Sequence, residues 1–330
     1  MSEPQATARA RLPVHRAPTP GAPRPPCTLA LKKVTRWFGD VIALNDVDLE
    51  FGPGVTGLLG SNGAGKTTMI RLMVGLASSD AGSVTLDGVP VRGNVPALAR
   101  IGYVADGDGL YEDATARDFL LSQARLRGVP RAECAALVDD VIARVGLGDA
   151  VDQRAGGYSK GMRQRLKLAQ AILHEPDVLV LDEPLTGLDP LMRRDVIRVV
   201  RELGDAGATV IVSSHVLHEI EAMTDRVVFL RYGQVLAEGT VGHIRDLLHT
   251  EPRRARLFTS RPAEWARRLL AETDLVKGLH LEDDALLVIT EHPEQLVTLV
   301  QNVVLDEQLP LTGLQTVDED LGSLFNYLVH

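Results

Sequence analysis

The chain has 330 residues, with 35 Lys and Arg against 44 Asp and Glu, giving a formal net charge of −9. That length predicts about two domains and a sizeable core. The acidic balance argues against nucleic acid as the main partner, because such binding depends on Lys and Arg neutralising phosphates. No stretch approaches the roughly 20 consecutive apolar residues of a membrane-spanning helix. Cys27 and Cys134 have neither disulfide nor metal-ligand spacing, so we expect a reducing, cytoplasmic compartment.

The first 27 residues form a compositional segment of their own. They contain seven prolines, four arginines and one acidic residue, Glu3. This proline density interrupts every periodic pattern and predicts a disordered, partly extended tail. An Arg-rich, acid-poor start is also found in organellar transit peptides, which is the alternative for this segment.

Short apolar runs alternate with helical patterns over residues 28–248. Strands are predicted at residues 29–34, 47–51, 55–59, 178–181, 209–212 and 227–230, a hairpin at 83–91, and helices at 67–76, within 114–150, and at 161–173. The last three strands are uninterrupted apolar runs, as expected of parallel strands covered on both faces. The pattern predicts an α/β fold.

The pattern changes after residue 250. Strands are predicted at residues 256–259, 286–290 and 313–317, with helices at 265–271 and 293–304. Residues 251–330 contain seven Lys and Arg against fourteen Asp and Glu. We therefore expect a small, acidic α+β domain over residues 249–330. Its acidic run at 318–320 is interpreted as a solvated face, with a dimerisation or regulatory role for the domain as the alternative.

A phosphate-binding loop follows the third predicted strand and opens the first predicted helix. Its glycines let backbone N–H groups face a polyphosphate at the positive end of a helix dipole. We expect Lys66 to reach the β- and γ-phosphates and the Thr67 hydroxyl to ligate Mg²⁺. The predicted nucleotide-binding residues here are Gly60, Ser61, Asn62, Gly63, Ala64, Gly65, Lys66, Thr67 and Thr68.

Two carboxylates follow the buried strand at residues 178–181. The strand end would bring Asp182 to the Mg²⁺ ion. Glu183 lies one residue further, where a carboxylate can polarise the water that attacks the γ-phosphate. The pair is therefore the candidate for metal binding and catalysis.

The order of these motifs with three others resembles the ATP-binding cassette (ABC) ATPases over residues 29–239. The others are a Ser-x-Gly helix start, a Gly-Leu-Asp sequence and a histidine after the strand at 209–212. The resemblance implies a cassette with a RecA-like core, an antiparallel β subdomain and a helical subdomain, followed by the small C-terminal domain. It also implies ATP and Mg²⁺ as ligands.

The resemblance further implies a head-to-tail dimer with a second ABC subunit, identical or different. The signature residues of one subunit, Ser159, Lys160, Gly161 and Met162, would then close on the ATP held by the other. A helix N-terminus preceded by a serine suits a phosphate clamp, although Ser159 is also explained as a helix N-cap.

The remaining site residues follow from the same resemblance. Asp189 matches the D-loop aspartate that couples the two ATP sites, and His215 matches the switch histidine, catalytic together with Glu183. Phe38 matches the aromatic residue that stacks on adenine, with Trp37 as the alternative and core packing as the structural explanation for either. His215 and His218 have the spacing of a metal pair but lack further ligands at usable spacing.

Two departures from the family pattern stand out. Tyr158 and Lys160 replace the usual Leu and Gly of the signature, a variant that resembles bacterial exporters for drugs, lipids or polysaccharides. Asp106 stands at the Q-loop position, where the family carries Gln or Glu. We expect Asp106 still to sense Mg²⁺ or the attacking water, with weaker coupling because its side chain is shorter.

The sequence therefore predicts the ATP-hydrolysing subunit of an ABC exporter. Its partner would be a polytopic membrane permease, contacted near Tyr111 and Glu112, and its location cytoplasmic and peripheral at the inner face of the cell membrane. The alternative is a soluble ABC ATPase acting on ribosomes or DNA, disfavoured by the single cassette, the lack of heptads and the acidic charge. A GTPase or small-molecule kinase would leave Ser159 and Gly161 unexplained.

Overall fold

A computed structural model describes residues 26–107, 109–242, 253–272 and 274–316. The chain divides into two compact units, residues 1–238 and 239–330. The tail predicted at residues 1–27 lies almost entirely outside the described residues, as do the expected domain boundary at 248 and the acidic run at 318–320. In the described part of the chain, every helix is too short or too polar to cross a bilayer.

The first unit combines two sheets with helices. Its strands are β1 (Leu29–Phe38), β2 (Val41–Phe51), β3 (Gly54–Leu59), β4 (Ala81–Leu86), β5 (Val89–Pro90), β6 (Ile101–Val104), β7 (Val178–Leu181), β8 (Thr209–Ser214), β9 (Arg226–Arg231) and β10 (Gln234–Thr240). Its helices are α1 (Lys66–Met73), α2 (Val95–Leu98), α3 (Ala116–Leu126), α4 (Cys134–Val145), α5 (Lys160–Ile172), α6 (Pro190–Asp205) and α7 (Leu217–Glu221).

The larger sheet has the order β10-β9-β3-β8-β7-β6. Its pairings β3 with β8, β3 with β9, β7 with β8 and β6 with β7 are parallel. All residues of β7 and β8 are buried, as their continuous Val, Leu and Ile runs predict. Because the strands are parallel, the segments after β3, β7 and β8 meet at one edge of the sheet, where open α/β sheets bind ligands.

The smaller sheet is antiparallel, with the order β2-β1-β4-β5. The predicted hairpin at residues 83–91 is confirmed: Leu86 pairs with Val89 across Asp87 and Gly88, which both adopt positive φ. β1 and β2 are longer than the predicted strands and reach Phe38 and Val41, with register shifts along their ladder. Their outer ends carry exposed apolar residues in adjacent positions, Trp37 with Phe38 and Val41 with Ile42, and therefore lack the alternation of apolar and polar residues that predicts a strand.

The predicted helical stretch at residues 114–150 is divided into α3 and α4. Gly128 has a φ of 81° and Pro130 follows it, so the chain turns between the two helices. The sequence analysis also overlooked α6. This helix begins at Pro190 directly after Asp189, whose side chain caps it. Proline at the first helical position is compatible with a helix because its missing N–H would have no partner there.

The second unit has the order β11 (Arg253–Phe258), α8 (Pro262–Leu269), β12 (Gly278–Leu281), β13 (Ala285–Thr290), α9 (Pro293–Asp306) and β14 (Gly313–Thr316). Its sheet, β12-β13-β11-β14, gives the βαββαβ arrangement of ferredoxin-like folds. The helices pack on one sheet face around the fully buried Trp265. Strand β12 was not predicted, since it is short and partly exposed.

Candidate nucleotide site

The loop between β3 and α1 owes its shape to its glycines. Gly63 and Gly65 have φ of 83° and 107°. A Cβ atom on Gly60 would lie 2.6 Å from the Leu230 carbonyl oxygen, and one on Gly65 would lie 2.6 Å from that of Ala43. Both positions therefore require glycine, because a side chain there would collide with the neighbouring backbone.

Lys66 opens α1 and is buried, with only 6% of its surface exposed. Its ammonium donates to the carbonyl oxygens of Gly60 and Ser61 at 2.5 and 3.4 Å. The ammonium also lies 3.2 Å from Oε1 of Glu183. Lys66 thus brings a positive charge to the loop and is ion-paired with the second of the two carboxylates after β7.

Asp182 is buried beside this pair and is held by a serine. The hydroxyl of Ser213, on β8, donates to Oδ1 of Asp182 at 2.8 Å, and the backbone N–H of Glu183 donates to the same hydroxyl at 2.8 Å. Burial raises the pKa of the Asp182 carboxyl, while the hydrogen bonds from Ser213 and Thr67 act in the opposite direction. Ser213 therefore fixes the carboxylate of Asp182 and the backbone of Glu183, a role that the sequence analysis missed.

The second carboxylate oxygen of Asp182 is suited to bind Mg²⁺. This Oδ2 atom is buried and has no hydrogen-bond partner among the described residues. A buried carboxylate oxygen without a partner is costly unless a cation pairs with it. The Thr67 hydroxyl interacts with the same carboxylate. Carboxylate and hydroxyl oxygens are hard ligands of the kind that Mg²⁺ prefers, so Thr67 and Asp182 fit this ion.

Glu183 lies between two basic side chains. Its Oε1 faces Lys66, and its Oε2 lies 2.9 Å from Nδ1 of His215 and 3.3 Å from the hydroxyl of Thr186. The residue adopts a φ of 48°, which is uncommon outside glycine and typical of strained functional positions. The structure thus brings together Lys66, Asp182 and Glu183, selected from their motifs, with His215, selected from the family resemblance.

The signature residues lie at the start of α5. The Ser159 hydroxyl caps this helix by accepting from the N–H of Met162 at 3.3 Å. Gly161 packs so closely on α6 that an added Cβ would overlap the sulfur of Met192. Lys160 lines a cleft together with Asp106, Asp182 and Glu183. The signature therefore contacts the D-loop helix of its own chain, and Ser159 remains exposed.

The Q-loop position is fixed by a lysine that the sequence analysis did not select. Nζ of Lys167, on α5, donates to the carbonyl oxygens of Ala105 and Gly107 at 3.1 and 2.8 Å. These two residues flank Asp106, whose carboxylate is exposed and contributes to raising the pKa of Asp182. The basic stretch at residues 163–167 was the signal in the sequence.

The remaining predicted residues lie at exposed positions. Phe38 and Trp37 are 49% and 46% exposed, so core packing is the wrong explanation for either ring, and the Arg36 guanidinium lies 4.7 Å from the centre of the Phe38 ring. The Asp189 carboxylate caps α6 by accepting from the N–H of Met192 at 2.9 Å. Tyr111 is 69% exposed beside α3.

Comparison with known proteins places these features in a family. Residues 44–186 match the model of the ABC transporter family. The chain is 37% identical over 230 residues to the ABC transporter ATP-binding protein NatA of Bacillus subtilis (strain 168), covering 68% of this chain and 94% of that protein. It is 38% identical over 218 residues to the Nod factor export ATP-binding protein I of Paraburkholderia xenovorans (strain LB400), covering 65% of this chain and 71% of that protein.

The fold agrees with these sequence relatives. A solved structure described as the ATP-binding subunit of an ABC transporter superposes with a TM-score of 0.62 at 29% identity, covering 67% of this chain and 92% of that one. Residues 44–186, which match the family model, include the phosphate-binding loop, the paired carboxylates and the signature helix. The chain belongs to the ABC transporter family, as an ATP-binding cassette ATPase.

Proposed function

We propose that this chain is the ATP-hydrolysing subunit of an ABC exporter and drives transport through a separate membrane permease. The observation that carries the proposal is the position of Glu183, held between Lys66 and His215 and next to the buried Asp182. A carboxylate between two basic groups at the edge of a parallel sheet is suited to accept a proton from water beside a bound triphosphate.

Lys66 has two possible partners in this scheme. Its ammonium pairs with Glu183 at 3.2 Å in the structure. When ATP binds, the β- and γ-phosphates compete for the same ammonium, and Glu183 is released to orient and deprotonate the attacking water. His215 holds the other oxygen of Glu183 and keeps the carboxylate in place. Mg²⁺ held by Thr67 and Asp182 would neutralise charge on the phosphates.

The other predicted residues complete the site in the proposed dimer. Ser159, Lys160, Gly161 and Met162 of a second subunit would close on the γ-phosphate, supported by the exposed helix N-terminus of α5. Asp189 would face that second subunit from the start of α6. The exposed ring of Phe38 is available to stack on adenine, as aromatic rings stack on bases elsewhere.

The proposed partner is a polytopic permease, which places the subunit at the inner face of the cell membrane. Export is supported by the relative named for Nod factor export and by the Tyr158 and Lys160 signature variant. Tyr111 and Glu112 are both exposed and lie ahead of α3. We propose that this loop contacts the permease.

Affinity purification of the tagged chain from its own cells tests the partner. We expect a membrane protein with several spans to co-purify, and the double variant Tyr111→Ala, Glu112→Ala to reduce its recovery at least fivefold. The matched control is Tyr232→Ala, which changes a tyrosine that is 75% exposed. Recovery of ribosomes or DNA in place of a membrane protein would contradict the proposal and support the soluble alternative.

A further inference from the structure

The end of β8 is attached in two directions by two adjacent serines. Ser213 turns into the nucleotide site and donates to Asp182. Ser214 is buried and its hydroxyl donates to Oε2 of Glu219 at 2.8 Å. The Ser214 hydroxyl also accepts from the backbone N–H of Val216 at 3.0 Å, so it fixes the chain on either side of His215.

Glu219 continues the connection from α7 to the D-loop. Its side chain is only 8% exposed, and its Oε1 lies 2.9 Å from a terminal guanidinium nitrogen of Arg193 on α6. The same guanidinium donates through Nε to the carbonyl oxygen of Leu188 at 3.0 Å. Glu219 therefore connects two segments: its Oε1 contacts Arg193 next to the D-loop, and its Oε2 contacts Ser214 next to His215.

We propose that Arg193, Glu219 and Ser214 form a bridge that couples the D-loop to His215. The bridge sets the position of His215, and through it that of Glu183, according to the position of the start of α6. These are positioning residues, since none of them touches the reacting atoms. The proposal rests on the proposed function, in which the D-loop faces the second ATP site of a dimer.

Two physical features favour coupling over mere stabilisation. The Glu219 carboxylate is buried, whereas the Arg193 side chain is 35% exposed. Moving Arg193 away would leave the buried carboxylate without its ion-pair partner, which is unfavourable, so Arg193 and Glu219 are constrained to move together. The start of α6 is also contacted by the signature helix, where Gly161 packs on Met192. A shift of the signature on phosphate binding would therefore reach Leu188 and Arg193 directly.

Steady-state ATP hydrolysis by the full chain tests the bridge, with Glu219→Gln as the variant and Glu202→Gln as its matched control. Glu202 pairs with Arg198 on the exposed face of α6. We expect Glu219→Gln to lower kcat about tenfold and to reduce the Hill coefficient for ATP towards 1, with the dissociation constant for ATP changed less than twofold. The control should match the wild type.

A double-mutant cycle makes the test specific. If Arg193 and Glu219 act as one unit, the double variant Arg193→Gln, Glu219→Gln should be no slower than the worse single variant. Independent, multiplicative losses would overturn the inference, as would a wild-type Hill coefficient of 1, or a Glu219→Gln variant equal to the control. A loss confined to ATP binding would also overturn it.

If Glu219→Gln does not fold, the milder variant Ser214→Ala tests the same bridge. Ser214→Ala leaves the ion pair intact and removes only the hydroxyl, and we expect a smaller loss of kcat and of the Hill coefficient in the same direction. An unchanged Ser214→Ala protein would overturn the inference in that case. The proposed function, in contrast, requires that the wild-type chain hydrolyses ATP and that Lys66→Ala abolishes this activity. A wild-type chain that fails this test would overturn the proposed function.

Discussion

Asp182 illustrates how a single residue serves the site at a cost to stability. The carboxylate is buried, one oxygen is bonded to Ser213, and burial raises its pKa. Because the folded form holds its proton at higher pH than the unfolded form, its contribution to stability falls as the pH rises above the ordinary pKa of Asp. A bound divalent cation would remove this cost. The residue is therefore better explained by ligand binding than by folding.

The variant Asp182→Asn should separate these effects. Without nucleotide, we expect its free energy of unfolding at pH 7 to stay within about 1 kcal/mol of the wild type, because removal of the buried charge offsets the new amide donor. The rise in melting temperature with MgATP should be lost. Thermal unfolding measures both, with the exposed Asp205→Asn as control. A large loss of stability with retained MgATP stabilisation would contradict the assignment.

At the scale of elements, the parallel strands were predictable because burial on both faces leaves an uninterrupted apolar run. The same reasoning could not separate α3 from α4, since a turn at Gly128 and Pro130 interrupts an otherwise helical pattern without changing its polarity. It missed α6 because the start of this helix depends on Asp189, whose carboxylate accepts from the N–H of Met192, and on Pro190 at the first helical position. The hydrophobic pattern of a sequence predicts which segments are buried, and it predicts where the chain turns less well.

Contacts between elements were the least predictable part of the site. Ser213 lies 31 residues from Asp182, and Lys167 lies 62 residues from Ala105. Lys66, Asp182 and Glu183 were predicted from their motifs, because each follows a strand or opens a helix at the same sheet edge, whereas His215 was predicted from the family resemblance. Residues that support them from a distance have no local signature, so the fold had to be known first.

The Q-loop provides a prediction at this scale. Lys167 holds the backbone on either side of Asp106, so Asp106→Gln should change the side chain without moving the loop. We expect kcat for ATP to rise a few-fold, because the longer side chain reaches further, and half-saturation by Mg²⁺ to require more metal, because a nearby negative charge is lost.

Steady-state ATPase assays over a range of Mg²⁺ concentrations measure both effects, with the exposed Asp113→Asn as control. If Asp106→Gln changes neither the rate of ATP hydrolysis nor its Mg²⁺ dependence, the Asp106 side chain has no part in the site.

For the whole molecule, the two units differ in kind. The first carries the nucleotide site at one edge of a parallel sheet, and the second is a ferredoxin-like unit with its own core around Trp265. In the first unit the signature residue Ser159 is exposed at the start of α5. An exposed helix N-terminus is suited to bind the phosphate of a nucleotide held by a second subunit, as the proposed dimer requires.

The Glu183→Gln variant tests this account most directly. If Glu183 accepts the proton as proposed, removing its carboxylate should lower ATP hydrolysis at least about 100-fold while leaving MgATP binding intact. Light scattering after gel filtration should then show an MgATP-dependent dimer. The control variant at the exposed Glu202, Glu202→Gln, should hydrolyse ATP at the wild-type rate and show the same oligomeric state as the wild type. A Glu183→Gln protein that hydrolyses ATP at the wild-type rate would contradict the account.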